Sequence, residues 1–284
     1  MKDTSNETTE STSAAGGAGW RNNRTTLVLA AGFLGFVVIA SAGILGYRAL
    51  GGHDDDAQPQ SRPSASAAPT TTAPNAPGGF GPPSADMLGR PVAHPNNAAG
   101  QALPQKPVSR DDYRCDTPPN CPAPAAPESV MWQEVKPWVL PFSTSDGPAR
   151  VEGPLAEGYT RTPQGAALAA WQIVWRAASS REVFDAVMAH QIVGTPEDLA
   201  QMRATKQWDY SGTSALALRP SGFRITGWQG DFAAIQYAVP AHSPGVWNVV
   251  PIEVVWQDGD WRMRAPHTPA AKLTVVSLSG WTTW

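Results

Sequence analysis

Val246–Met263 reads VWNVVPIEVVWQDGDWRM, and its period of two decides the fold. Val250, Ile252, Val254 and Trp256 share one face of an extended segment. Glu253 falls on the opposite face with Val249, Val255 and Gln257. Gln257-Asp258-Gly259-Asp260 carries the Asp-Gly hairpin signal, and Trp261-Arg262-Met263 opens a return strand. Upstream the same period runs through GFRITGW, where Phe223 and Ile225 alternate with Arg224 and Thr226. It resumes in DFAAIQYAV after a turn at Gly230-Asp231, and LTVVSLSGW offers one more short strand.

Before these strands the apolar spacing is helical. Thr162-Pro163 supplies an N-cap and a proline at the first helical position. Ala167, Leu168, Trp171, Val174, Trp175 and Ala178 then recur at three and four, which predicts one buried stripe. Ser179-Ser180-Arg181-Glu182 is a capping-box pattern that restarts a helix with Val183, Phe184, Val187 and Met188 inward. Thr195-Pro196-Glu197-Asp198 opens a third, short helix with Leu199 and Met202 inward, its early acids suited to the positive helix end. Helices followed by a run of antiparallel strands make an α+β plan. The aromatic and proline-broken MWQEVKPWVLPFSTSDGP ahead of them promises no long regular element, and Asp146-Gly147-Pro148 marks a turn.

The other end of the chain has a different composition. Residues 1–24 are Ser/Thr/Glu/Gly-rich and read as a disordered tail. Thr25–Tyr47, TTLVLAAGFLGFVVIASAGILGY, contains no charge. As a helix it would run about 34 Å, enough for a hydrocarbon core of about 30 Å. Arg21 and Arg24 precede it and Asp54, Asp55 and Asp56 follow Arg48, which favours a cytoplasmic amino terminus and a carboxyl-terminal domain outside the cell membrane. Ala40-Ser41-Ala42 is also a signal-peptidase pattern, so a retained single-pass anchor and a cleaved leader remain alternatives. Residues 51–127 are rich in Pro, Ala and Ser and read as a disordered tether with a reach of about 50 Å. Residues 128–284 hold the folded domain.

Charge and motifs exclude several function classes. The chain has 21 Lys and Arg against 24 Asp and Glu, so no nucleic-acid contact is expected. Cys115 and Cys121, the only cysteines, flank Pro118-Pro119 and are expected to close a disulfide loop outside the membrane. No third cysteine and no nearby histidine completes a zinc set, and neither metal nor cofactor is expected. The sequence contains no nucleophile elbow, zincin helix or phosphate loop, so no catalytic residues are assigned and the domain reads as non-enzymatic. His190, His242 and His267 read as helix-end or loop residues. Glu253 is a candidate pocket acid if the second sheet face lines a cavity. Trp281 and Trp284 are candidates for an interaction surface because the domain has more tryptophans than one small core needs, although a tail folded back on the sheet is the alternative.

A long helix, two shorter ones and a sheet ending in an apolar strand, DGDW and a short strand together resemble the nuclear-transport-factor-two-like (cystatin-like) cone. The resemblance covers Thr162 to Met263. Anchor, tether and cone in this order further resemble the bitopic assembly subunits of type IV secretion and conjugation machines. The segment VKPWVLPFSTSDGPARVEGPLAEGYTRTPQGAALAA is similar to an uncharacterised actinobacterial domain associated with mobile elements. The resemblance implies helices packed on a curved antiparallel sheet, and a scaffold that acts by contact with the bilayer, other channel subunits or further copies of itself. It transfers no functional residue, and a small-molecule-binding or enzymatic cone, with Glu253 in its pocket, and an envelope-associated protein unrelated to secretion remain alternatives.

Overall fold

The computed structural model describes residues 78–110, 112–205, 219–241, 243–267 and 271–284. The tail, the span Thr25–Tyr47, the first part of the tether, Trp208 and His242 lie outside the described residues. Among those described, no helix is long and apolar enough to cross a membrane.

Along the chain run β1 (Ser84–Ala85), β2 (Pro91–Val92), β3 (Met131–Val135), β4 (Trp138–Phe142), β5 (Arg150–Glu152) and β6 (Leu155–Glu157). Helices α1 (Pro163–Arg176) and α2 (Arg181–His190) follow, then β7 (Ile192–Val193) and α3 (Pro196–Thr205). The chain finishes with β8 (Gly222–Trp228), β9 (Phe232–Pro240), β10 (Trp247–Gln257), β11 (Asp260–Arg264), β12 (Leu273–Val275) and β13 (Thr282–Thr283). The class is α+β.

The main sheet has the order β13-β8-β9-β10-β11-β7, with β12 beside the first residues of β10. All of its pairs are antiparallel except β7 with β11. Register follows the pattern in the sequence: Val250 stands opposite Tyr237, Ile252 opposite Ile235 and Val254 opposite Ala233, and all six are buried. Asp258 and Gly259 adopt φ of 55° and 80°, the left-handed pair that a two-residue hairpin needs. A bulge between Ile225 and Gly227 bends β8.

Helix α1 starts as its cap residues dictate, the Thr162 hydroxyl accepting from Gly165 N. It does not bury one stripe. Only Val174 in the helix is half-buried, because α1 lies between the main sheet and the β3–β4 hairpin. Ala166, Ala167, Ala169 and Ala170 let both layers approach closely, while Trp171 stacks on Tyr237 at 4.7 Å and Trp175 on Trp138 at 4.7 Å. Burying each large ring contributes about 3 kcal/mol. In α2 the cap falls one residue later than the box pattern suggests, at Ser180, and Phe184, Val187 and Met188 are buried. Nothing in α3 is fully buried.

Two expectations about the amino-terminal half need correction. MWQEVKPWVLPF is a regular hairpin, not irregular chain: β3 and β4 pair throughout from Met131↔Phe142 to Val135↔Trp138. Its prolines do not break it because Pro137 sits in the turn and Pro141 on the outer strand, where no ladder donor is required. The tether expected through residue 127 also stops earlier. Val92 and Leu103 enter the core, Ala93 N donates to Trp132 O at 2.8 Å, and Glu134 N donates to Ala93 O at 2.9 Å. Proline-rich chain with few large apolar residues orders here by adding backbone hydrogen bonds to the edge of β3.

Candidate functional site

Arg110 and residues 112–125 fold over the start of α1 and enclose an open cleft of about 460 Å³. Arg110, Asp112, Arg114 and Asp116 form its charged rim, Tyr113 and Pro122 its wall, and Gln164 of α1 part of its floor. The loop is held at several points. Cys115 and Cys121 are joined in a disulfide with Cα atoms 4.7 Å apart. The Tyr113 hydroxyl donates to Pro122 O at 2.7 Å, and its ring meets Trp228 edge-on at 5.9 Å. Burial pushes the Tyr113 phenol up to about 12. Gln164 Nε2 donates to Ala125 O at 2.8 Å, and Thr282 Oγ1 of β13 donates to Pro124 O at 2.6 Å. Arg110 is ion-paired with Asp146 beneath the cleft, which leaves Arg114 beside Asp112 and Asp116, a mixed rim that suits a polar segment of protein better than a polyanion.

Beneath the cleft lies Asp146, fully buried. Its carboxylate accepts from Arg110 Nη1 at 2.6 Å to both oxygens and from the Thr160 and Thr162 hydroxyls at 2.9 Å each, and the Ser145 hydroxyl also donates to it. One carboxylate thus ties the cleft loop, the 143–148 turn and the N-cap of α1. Both Asp146 oxygens are thus taken up by donors, and buried Ser145 spends its own proton on one of them. Asp260 plays a similar part below β6, accepting from Gly158 N at 2.7 Å, Tyr159 N at 3.3 Å and Trp261 N at 2.9 Å. Burial raises the pKa of this carboxyl, and those three donors oppose the rise.

A second polar group lies on the amino-terminal layer. The parallel bridge Ala93↔Gln133 sets His94 beside Glu134, and the antiparallel pair Ser84↔Val92 makes Ser84 a diagonal neighbour of His94. The outcome is a linear chain: Ser84 Oγ lies 2.7 Å from His94 Nε2, and His94 Nδ1 lies 3.0 Å from Glu134 Oε2. Sequence reasoning missed it, since Ser84 and His94 fall in proline-rich sequence read as tether and no local motif joins them to Glu134.

Among the residues singled out from sequence, the cysteine pair is brought together. Glu253 is not in a pocket: half of its side chain is exposed, and it pairs with Arg264 Nη1 at 3.2 Å on the outer sheet surface. Trp281 is not on the surface either. It is 7% exposed, packs with Ala238 and Val249, and lies under the Arg224 guanidinium at 4.8 Å. Trp284 is half-buried between Trp132 at 5.4 Å and Phe223 at 4.9 Å. The tail folds back because β13 completes the edge of β8, Thr282 standing opposite Phe223. His190 is exposed at the end of α2, and His267 is exposed with Nδ1 2.9 Å from Asp198 Oδ1. Among the described residues no cluster of three His, Cys, Asp or Glu side chains is set to hold a metal.

Fold and site define a helix-cored α+β domain with a disulfide-braced cleft at one end. The chain belongs to the family described as Domain of unknown function (DUF8175), whose model matches residues 93–283. That match begins one residue after β2, ahead of the expected domain start and close to where packing begins. No curated protein and no solved structure matches the chain.

Proposed function

We propose that this protein is a single-pass membrane subunit that displays its α+β domain outside the cell and acts as a scaffold of a secretion or conjugation machine. The observation that carries the reading is the Cys115–Cys121 disulfide on the cleft loop, downstream of an uncharged span long enough for a bilayer. A disulfide suits an oxidising exterior, and flank charges at the span argue for the same side. The order of three helices, then a bent antiparallel meander closed by the Asp258-Gly259 hairpin, supports the finer description as a cone. Within this reading the contacts that matter are with channel subunits, further copies or the lipid surface, and the scaffold role itself needs no catalysis. The cleft is the part of the domain best suited to hold a partner segment, being braced at several points, open and lined by charges of both signs.

Deletion of the gene in a cell that carries it, scored for transfer of DNA or protein to a recipient, tests the proposal. Transfer is expected to fall and to return with the full chain, but not with a chain lacking residues 25–47. Unchanged transfer in the deletion strain would remove the reading. Fluorescence of a thiol probe at an introduced cysteine on exposed Val276, reached from outside intact cells, checks the orientation independently.

A further inference from the structure

The Ser84–His94–Glu134 chain goes beyond a contact role and does not rest on it. We propose that it is a nucleophilic serine site that takes acyl groups from small, unhindered carboxylic esters. Both imidazole nitrogens are engaged in the sense that nucleophile activation requires. Glu134 Oε2 sits 3.0 Å from Nδ1, which favours the proton there and leaves the Nε2 lone pair to accept from Ser84 Oγ at 2.7 Å. The roles follow from geometry and not from chain spacing, as in other serine–histidine–carboxylate sites.

The scaffold holds Ser84 on β1 and Glu134 on β3, with His94 in the bridged chain just after β2. Ala93 is hydrogen-bonded to β3 through both its N–H and its C=O, and Gly81 N donates to His94 O at 2.8 Å, so the imidazole backbone is fixed from both sides. Pro82 and Pro83 restrict the backbone just before Ser84. About a third of the His94 and Glu134 side chains faces solvent and Ser84 is exposed, so a substrate reaches the hydroxyl without any lid moving. Exposure of Ser84 lets an unhindered ester, small or carried on an extended arm, approach the hydroxyl.

In the first step Ser84 Oγ bonds to the acyl carbon while its proton passes to His94 Nε2, and the imidazolium is held by the Glu134 carboxylate. The carbonyl–alkoxy bond then breaks, and the leaving alkoxide takes the Nε2 proton and departs as an alcohol. Water repeats the sequence on the Ser84 ester, giving a carboxylic acid and the free hydroxyl. The net reaction is ester plus water to acid plus alcohol. Ser84 and His94 are the catalytic residues, and Glu134 is a positioning residue.

The test uses the full chain in detergent and a fluorophosphonate probe, read by intact mass and peptide mapping. Attack by Ser84 Oγ expels fluoride and leaves one phosphonyl adduct per chain at Ser84. The adduct is expected to vanish in Ser84→Ala and to form roughly 10²-fold more slowly in His94→Gln, the usual scale of general-base assistance. Glu134→Gln should slow labelling about 10-fold with an unchanged melting temperature, a result that a purely structural role does not give. The side chains are partly exposed, so the variants should fold, and near-ultraviolet circular dichroism verifies it. An initial burst of p-nitrophenol from p-nitrophenyl acetate, one per chain and absent in Ser84→Ala, is the second readout. Labelling elsewhere than Ser84, no labelling, or a rate in His94→Gln within about 3-fold of the parent would overturn the proposal.

Discussion

Replacing Asp146 by Asn changes almost no volume but removes the charge that ties three parts of the domain together. The parent carboxylate is fully buried and receives an Arg110 guanidinium and the hydroxyls of Ser145, Thr160 and Thr162. An Asn offers one acceptor oxygen and two N–H groups, so at least one hydroxyl must turn and Arg110 loses its counter-charge. Breaking a buried pair by deleting one partner costs about 3–5 kcal/mol. The Arg110 side chain is 11% exposed at the cleft and can partly rehydrate, which places the expected loss near the lower end, about 3 kcal/mol. At roughly 2–4 °C per kcal/mol for a domain of this size, the melting temperature should fall by about 6–12 °C. Tryptophan fluorescence is the assay, because Trp132, Trp138, Trp171, Trp175 and Trp261 are all buried. Arg110→Ala alone should cost less, and the double variant should show a coupling energy of about 1–3 kcal/mol. A fall below about 2 °C in Asp146→Asn, or additivity with Arg110→Ala, would refute the view that this carboxylate organises the cleft.

Other outcomes follow from the same structure. Trp281→Ala removes a ring packed under Arg224 and should cost about 3–5 kcal/mol in urea unfolding, whereas a surface residue would cost almost nothing. Serine at Cys115 and Cys121 together should cost about 2 kcal/mol, as expected for closing so short a loop, with increased proteolysis between residues 110 and 125 as the accompanying sign. Alkaline pH should unfold the domain. The phenols of Tyr113, Tyr159 and Tyr237 are raised by burial from their ordinary 10.0, Tyr113 to about 12, so stability is fully present below pH 10 and lost as pH rises beyond it. Tyrosinate absorbance at 295 nm should therefore appear together with the loss of near-ultraviolet dichroism; its appearance in a still-folded domain would contradict the burial argument. Glu253→Gln should leave stability within about 0.5 kcal/mol, because its partner Arg264 is exposed.

The meander and its helices were legible because alternation and capping act locally. Phe223, Ile225, Val250, Ile252 and Val254 announced their faces, Asp258-Gly259 its turn, and Thr162-Pro163 the start of α1. The cleft was legible only through its cysteines. Asp146 read as a turn former, and nothing adjacent in sequence reveals that Arg110 reaches it from 36 residues away. The β3–β4 hairpin hid behind prolines that happen to occupy a turn and an outer strand. Ser84, His94 and Glu134 are joined by register between strands, a property that composition does not carry. Trp281 misled because a count of tryptophans says nothing about a strand that returns to cover them.

That returning strand has a consequence for how the domain is made. β13 pairs with β8, the first strand of the meander, while Trp284 reaches the β3 ring Trp132 and Thr282 fastens the cleft loop at Pro124. Synthesis or export that delivers the chain from its amino end must hold β8 with an unzipped edge until residues 281–284 arrive. Nascent domains stalled before that point would expose Phe223 and Trp132, so the arrival of β13 is the step that seals this side of the core.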